Sequence, residues 1–131
     1  MSYEEMLKFK GLKASASSFE NYLSLGGFPE YLKDPDDYVL QQLLGDILLK
    51  DIVIRHGLRE YKVLEDLARY LLTNIGKEFT YNRLRDTFGL GSSNTIISYM
   101  SYLEDACLLF TVPRFSYSYK ERLVNPKKVY A

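Results

Sequence analysis

Few residues in this chain have the type and spacing to do chemistry, and the most unusual grouping is SLGGFPEYL, Ser24 to Leu32. Glycine lets a backbone approach another group closely, and proline fixes a turn at low entropic cost. Gly27, Phe28 and Pro29 therefore read as a place where the main chain meets something. Further along, Asp51 and Arg55 fall on the same stripe as Leu40, Leu44 and Leu48 when the chain turns by roughly 100° per residue. Four residues apart, they can pair along a helix, and an unpaired charge on that stripe would be costly to desolvate. Two readings stay open: a half-buried structural ion pair, or an arginine that Asp51 holds in place to reach an anion or a partner.

Much other chemistry is excluded by what is absent. His56 is the sole histidine and Cys107 the sole cysteine, so one chain builds neither a His/Cys metal cage nor a Cys/His nucleophile pair. GLGSSN, residues 89–94, has two glycines but no lysine and reads as a helix connector rather than a phosphate loop. A small enzyme using Asp or Glu has no motif in its favour. The chain alone is expected to be non-catalytic and to hold no metal or cofactor. A lone cysteine fits a reducing compartment. No apolar run approaches the roughly 20 residues of a membrane span, and MSYEEMLKFKG lacks the layout of a signal peptide. The expected location is the cytoplasm, without a membrane partner.

The elements that must position these residues are mostly helical. At 131 residues and 47% hydrophobic content, the chain can bury one core or two small ones. Residues 36–56 repeat leucine and isoleucine at i, i+3, i+4 spacing and predict a long amphipathic helix ended near Gly57. A second helix is expected over 60–75, with Leu64, Leu67, Ala68, Leu71 and Ile75 inward. A short one follows from a Thr80 cap to Phe88, with a Phe79–Leu84 staple and Gly89 as its stop. A third runs from a cap at Ser92 or Ser93 to Ala106, with Ile96, Ile97, Met100 and Leu103 inward. After Cys107 the pattern turns to β: LLFTV, a break at Pro113, an alternating strand Phe115–Lys120, and KKVYA. Near the N-terminus, Ser17 or Ser18 caps a short helix ended by Gly26-Gly27, and Pro29 opens another. The expected fold is mainly α with a small β-hairpin: a helical lid-like segment, 1–57, followed by a winged helix-turn-helix, 58–131.

Seventeen Lys and Arg balance seventeen Asp and Glu, so no global field draws the chain to nucleic acid. Residues 114–131 are locally basic, with Arg114, Lys120, Arg122, Lys127 and Lys128 against Glu121 alone. The expected recognition helix, SSNTIISYMSYLEDA, has no basic residue, so DNA contact would draw on Arg83, Arg85, Arg114, Lys120 and Arg122. Phe115, Tyr117 and Tyr119 are either core, a face that a following domain or a dimer partner covers, or a stacking surface for exposed bases.

In order along the chain, FKG, GGFPEYL, LLKDIVIRHGLRE, LEDLARYLLTNIGKEFTYNRLRD, TIISYMSYLEDACLLFTVPRFSYSYK and NPKKVY resemble the region after the ATPase core in prokaryotic, archaeal-type AAA-plus-like ATPases. In that family a domain of unknown function precedes a restriction-endonuclease-like fold. The resemblance implies a parent protein with an upstream P-loop core that binds ATP and Mg and a downstream nuclease-like domain. It implies that Gly27, Phe28 and Pro29 match a Gly-x-Pro lid element whose proline lies near adenine. It also implies that the long helix carrying Asp51 and Arg55 relays nucleotide state to the C-terminal half. The alternative is a free-standing winged-helix DNA-binding transcriptional regulator.

Overall fold

A computed structural model describes residues 1–131 as two compact units, Met1–Leu44 and Gly45–Ala131. The division falls earlier than the expected break after residue 57, so the turns carrying Asp51 and Arg55 group with the C-terminal unit.

The first unit is helical throughout. Helix α1 (Tyr3–Lys10) opens on a capping box in which Ser2 accepts from the Glu5 amide and Glu5 accepts from the Ser2 amide. Those hydrogen bonds hold the Glu5 carboxyl below its ordinary range. This helix was not expected, although Ser-x-x-Glu is its sequence signature. Helix α2 (Ala16–Leu25) is capped by Ser15 rather than by Ser17 or Ser18. Ser18 is instead buried at the third helical position, where its hydroxyl meets Tyr3 Oη at 2.6 Å and accepts from the Ser15 amide at 2.9 Å. Helix α3 (Pro29–Lys33) begins on Pro29, whose missing N–H costs nothing in a first turn.

Helix α4 (Asp37–Asp46) contains the unit boundary, and residues 47–54 continue it in π-helical turns. The wider i→i+5 turn rotates less per residue than an α-helix. A stripe extrapolated at α-helical spacing therefore drifts off the buried face. Leu48 and Ile52 are buried in these turns, while Asp51 and Arg55 lie exposed.

The rest of the C-terminal unit holds four further helices and a sheet. Helix α5 (Tyr61–Thr73) buries Leu64, Leu67, Ala68 and Leu71; Ile75 lies beyond its end and is exposed. Strand β1 (Glu78–Phe79) precedes α6 (Tyr81–Thr87), whose cap is Thr80, accepting from the Arg83 amide. Phe79 and Leu84 are both buried, as a staple requires. Ser92 caps α7 (Ser93–Asp105), which buries Ile96, Tyr99, Met100 and Leu103 but leaves Ile97 exposed. Cys107 follows at φ 55°, donating its N–H to the Glu104 carbonyl while Leu108 reaches back to Leu103. A left-handed residue with a Cβ is strained by about 1–2 kcal/mol. Cys107→Gly is therefore expected to stabilise the chain by about 0.5–1 kcal/mol in urea unfolding, net of glycine's entropy.

Strand β2 (Phe110–Pro113), helix α8 (Tyr119–Val124) and strand β3 (Lys127–Tyr130) complete the unit. The sheet is antiparallel in the order β1-β3-β2, with Glu78 opposite Lys128 and Val112 opposite Lys128 on its other side. The expected strand at Phe115–Lys120 is not a strand. Ser116 and Ser118 form a turn and a cap, Ser118 accepting from the Glu121 amide, and the chain goes helical. Phe115, Tyr117 and Tyr119 are 76%, 96% and 69% exposed, so no face of this segment supplies the burial that would hold a strand. No helix is long and apolar enough to cross a membrane.

Candidate functional site

Gly27 sits where α2 gives way to α3, and its special property is used inside the chain. A side chain there would meet the Met1 carbonyl oxygen. Met1 is held by its own amine, which donates to the Gly27 carbonyl at 2.8 Å, and by Tyr22 Oη, which donates to the Met1 carbonyl at 2.8 Å. Phe28 is the residue before α3 and leaves its ring 48% exposed, while Pro29 is half-buried. The stretch thus offers an exposed aromatic ring and no cation.

Asp51 and Arg55 are brought together, with Arg55 Nη2 at 3.7 Å from Asp51 Oδ1. The pair is open to solvent, with the Asp51 and Arg55 side chains 51% and 66% exposed. Such a pair contributes only about 0.3–0.5 kcal/mol, so it is not a structural anchor. The next residue, His56, stacks on Tyr102 with ring centroids 3.8 Å apart, joining the end of this helical segment to α7.

The basic residues separate into three groups. Arg85 is committed: it pairs with Asp86 at 2.7 Å and reaches Ser93 Oγ, which itself donates to Asn82. Lys120 and Arg122 lie on α8, where the Arg122 guanidinium stands 5.6 Å from the Tyr119 ring centre. Arg83 and Arg114 form the third group, together with Lys77 and Lys128. Arg83, Lys77 and Asn74 line a cleft of about 220 Å³ beside β1, and Arg114 and Lys128 line an adjoining depression. Glu78 lines both. None of these four cations has a carboxylate within ion-pair distance, whereas six other pairs form elsewhere.

Alternation along β3 explains the arrangement. Val129 is buried, so Lys128 and Tyr130 point to the opposite side of the sheet, together with their partners Glu78, Val112 and Phe110. On that side Phe110 and Tyr130 stack at 5.7 Å and 24°. Lys127, on the inner side, lies 4.9 Å from the Tyr81 ring centre. Burial first, and then the charge of Glu104, pushes the Tyr81 phenol above its ordinary range, so Tyr81 stays neutral. Pairing register was the missing signal: KKVY read alone does not say which residues face Glu78 and Phe110.

A family model described as a domain of unknown function (DUF8612) matches residues 16–131. The chain belongs to this family. The DUF8612 region here is similar to an uncharacterized protein of Methanocaldococcus jannaschii, 28% identical over an alignment that covers 99% of this chain and 33% of that protein. It is also similar to an uncharacterized protein of Haemophilus influenzae, at 23% identity, covering 88% of this chain and 32% of that one. The chain thus spans about a third of the length of these relatives. No solved structure matches it.

Proposed function

We propose that this chain is the lid and winged-helix region of a nucleotide-dependent AAA-plus-like ATPase, non-catalytic by itself, which relays nucleotide state to a C-terminal effector. The observation that carries the reading is the topology of the C-terminal unit. Helix α5, strand β1, helices α6 and α7, strand β2, helix α8 and strand β3 follow in that order with sheet order β1-β3-β2, which supports a winged helix-turn-helix reading in which α8 is inserted between the two wing strands. Relatives about three times as long as the matched region leave room for an ATPase core and an effector.

The first unit fits the base of a nucleotide but not its phosphates. Phe28 presents an exposed ring beside Pro29, suited to packing on adenine, while no lysine or arginine stands within GGFPE. Phosphates and Mg would be held by the P-loop core of the parent, which supplies the hydrolytic chemistry. What this chain contributes is an apolar contact on one side of the base and a helical segment, residues 37–56, that carries Asp51 and Arg55. Because that ion pair is solvated and weak, Arg55 is free to exchange Asp51 for another anionic partner when the nucleotide changes.

A free-standing DNA-binding regulator shares the topology but needs cations on α7, and residues 93–105 hold none. The test is nucleotide affinity in the parent protein. Phe28→Ala and Pro29→Gly are each expected to weaken ATP binding several-fold without unfolding the chain. Unchanged affinity in both, with the fold intact by circular dichroism, would remove the lid reading.

A further inference from the structure

We propose that the outer face of the sheet, with the β1 edge beside it, binds single-stranded nucleic acid. Bases stack on the Phe110–Tyr130 pair, and phosphates lie on Lys128, Arg114, Arg83 and Lys77. The inference stands on where these side chains lie and not on the ATPase reading.

The face is open: Phe110 is 54% and Val112 44% exposed, and Lys128 is exposed between Glu78 and Val112. Three depressions meet at Glu78, and the charged side chains lining them are Lys77, Arg83, Arg114 and Lys128 against Glu78 alone. In a chain of zero net charge, this is a concentrated cationic track that ends at an aromatic pair. Cations with stacking rings along one surface are what an unpaired strand needs. Duplex DNA would leave the rings without stacking partners, since its bases are already stacked, and the cation-free outer side of α7 offers nothing to its phosphates. An acidic peptide would use the cations but give Phe110 and Tyr130 no role. Glu78, in the middle of the track, opposes a polyanion, so its neutralisation should tighten binding.

The test is fluorescence anisotropy with a labelled oligothymidylate of about twelve nucleotides, titrated with the whole chain at about 50 and 200 mM salt. Binding is expected at the lower salt. Phe110→Ala should weaken it by about five- to a hundred-fold, while Phe110→Tyr restores it. Lys128→Ala/Arg114→Ala should lower the slope of log K against log salt by about 1.4, and Glu78→Gln should tighten binding. The substituted residues are exposed, and circular dichroism checks that each variant is folded. No binding at low salt, a duplex of equal length bound as tightly, or loss of affinity in Lys120→Ala/Arg122→Ala with none in the Phe110 and Lys128 variants would each overturn the proposal.

Discussion

Gly27→Ala is expected to destabilise the N-terminal unit by about 1–3 kcal/mol, although alanine usually stabilises a chain relative to glycine. The added Cβ meets the Met1 carbonyl oxygen and comes within 3.1 Å of Met1 N and 3.2 Å of its carbonyl carbon. These are backbone atoms, which have no rotamer to relax into. Met1 is also held from two sides, by its bond to the Gly27 carbonyl and by the Tyr22 hydroxyl. Displacing it breaks one or both bonds, and the unit has little else to absorb the loss, with Met6, Ser18 and Leu32 as its buried side chains. Gly45→Ala is the control. Nothing lies within 4 Å of its added Cβ, and its φ is not positive, so alanine there should stabilise helix α4 by up to about 1 kcal/mol. The same substitution thus has opposite signs at two positions, read by urea unfolding followed by circular dichroism. Equal effects would contradict the close approach at Gly27.

Leu103→Ala is the second large effect, about 2–5 kcal/mol in a unit whose total stability is of the usual order of 5–15 kcal/mol. Leu103 is 0% exposed, and the helix that carries it packs on both α6 and β2. Truncation leaves a cavity that these neighbours can close only by moving together. The melting temperature should fall by about 10 °C or more. On the same helix, Ile97 is 43% exposed, and Ile97→Ala should cost about 1 kcal/mol or less. Differential scanning calorimetry on both variants separates the two. A comparable loss at Ile97 would contradict the exposed position of its side chain.

That contrast shows what could be read from the residues and what could not. The signals that worked are local: Thr80 and Ser92 as caps, Pro29 in a first turn, and the i, i+3, i+4 spacing of Leu64, Leu67, Ala68 and Leu71. Errors came where two local patterns share one sequence. FSYSYK alternates like a strand, but its serines are also good helix caps, and without a burying surface on either side capping wins. Spacing of about 100° per residue turns Asp51 and Arg55 inward, but the turns that carry them are π-helical, and no residue in ILLKDIVI marks that widening. The missed α1 was a different failure, since Ser2 and Glu5 are a recognisable capping box.

The candidate surface was half legible for a related reason. Arg83 and Arg114 are prominent in sequence, but their association with Lys77 and Lys128 depends on β1 pairing with β3, residues 78–79 against 127–128. Roughly fifty residues separate the two strands, a distance over which composition carries no register. Phe110 and Tyr130 come together through the second pairing, β2 with β3, and neither stands out alone among twelve tyrosines and seven phenylalanines.

The relay is the central claim, and amide hydrogen exchange in the longer parent protein tests it most directly, comparing a non-hydrolysable ATP analogue with ADP. The account predicts that exchange in residues 47–56 and in the Tyr102 segment that His56 stacks on changes with the nucleotide, while α5 and its buried leucines stay unchanged. Identical exchange across 47–56 in both states, with nucleotide bound in each, would contradict it.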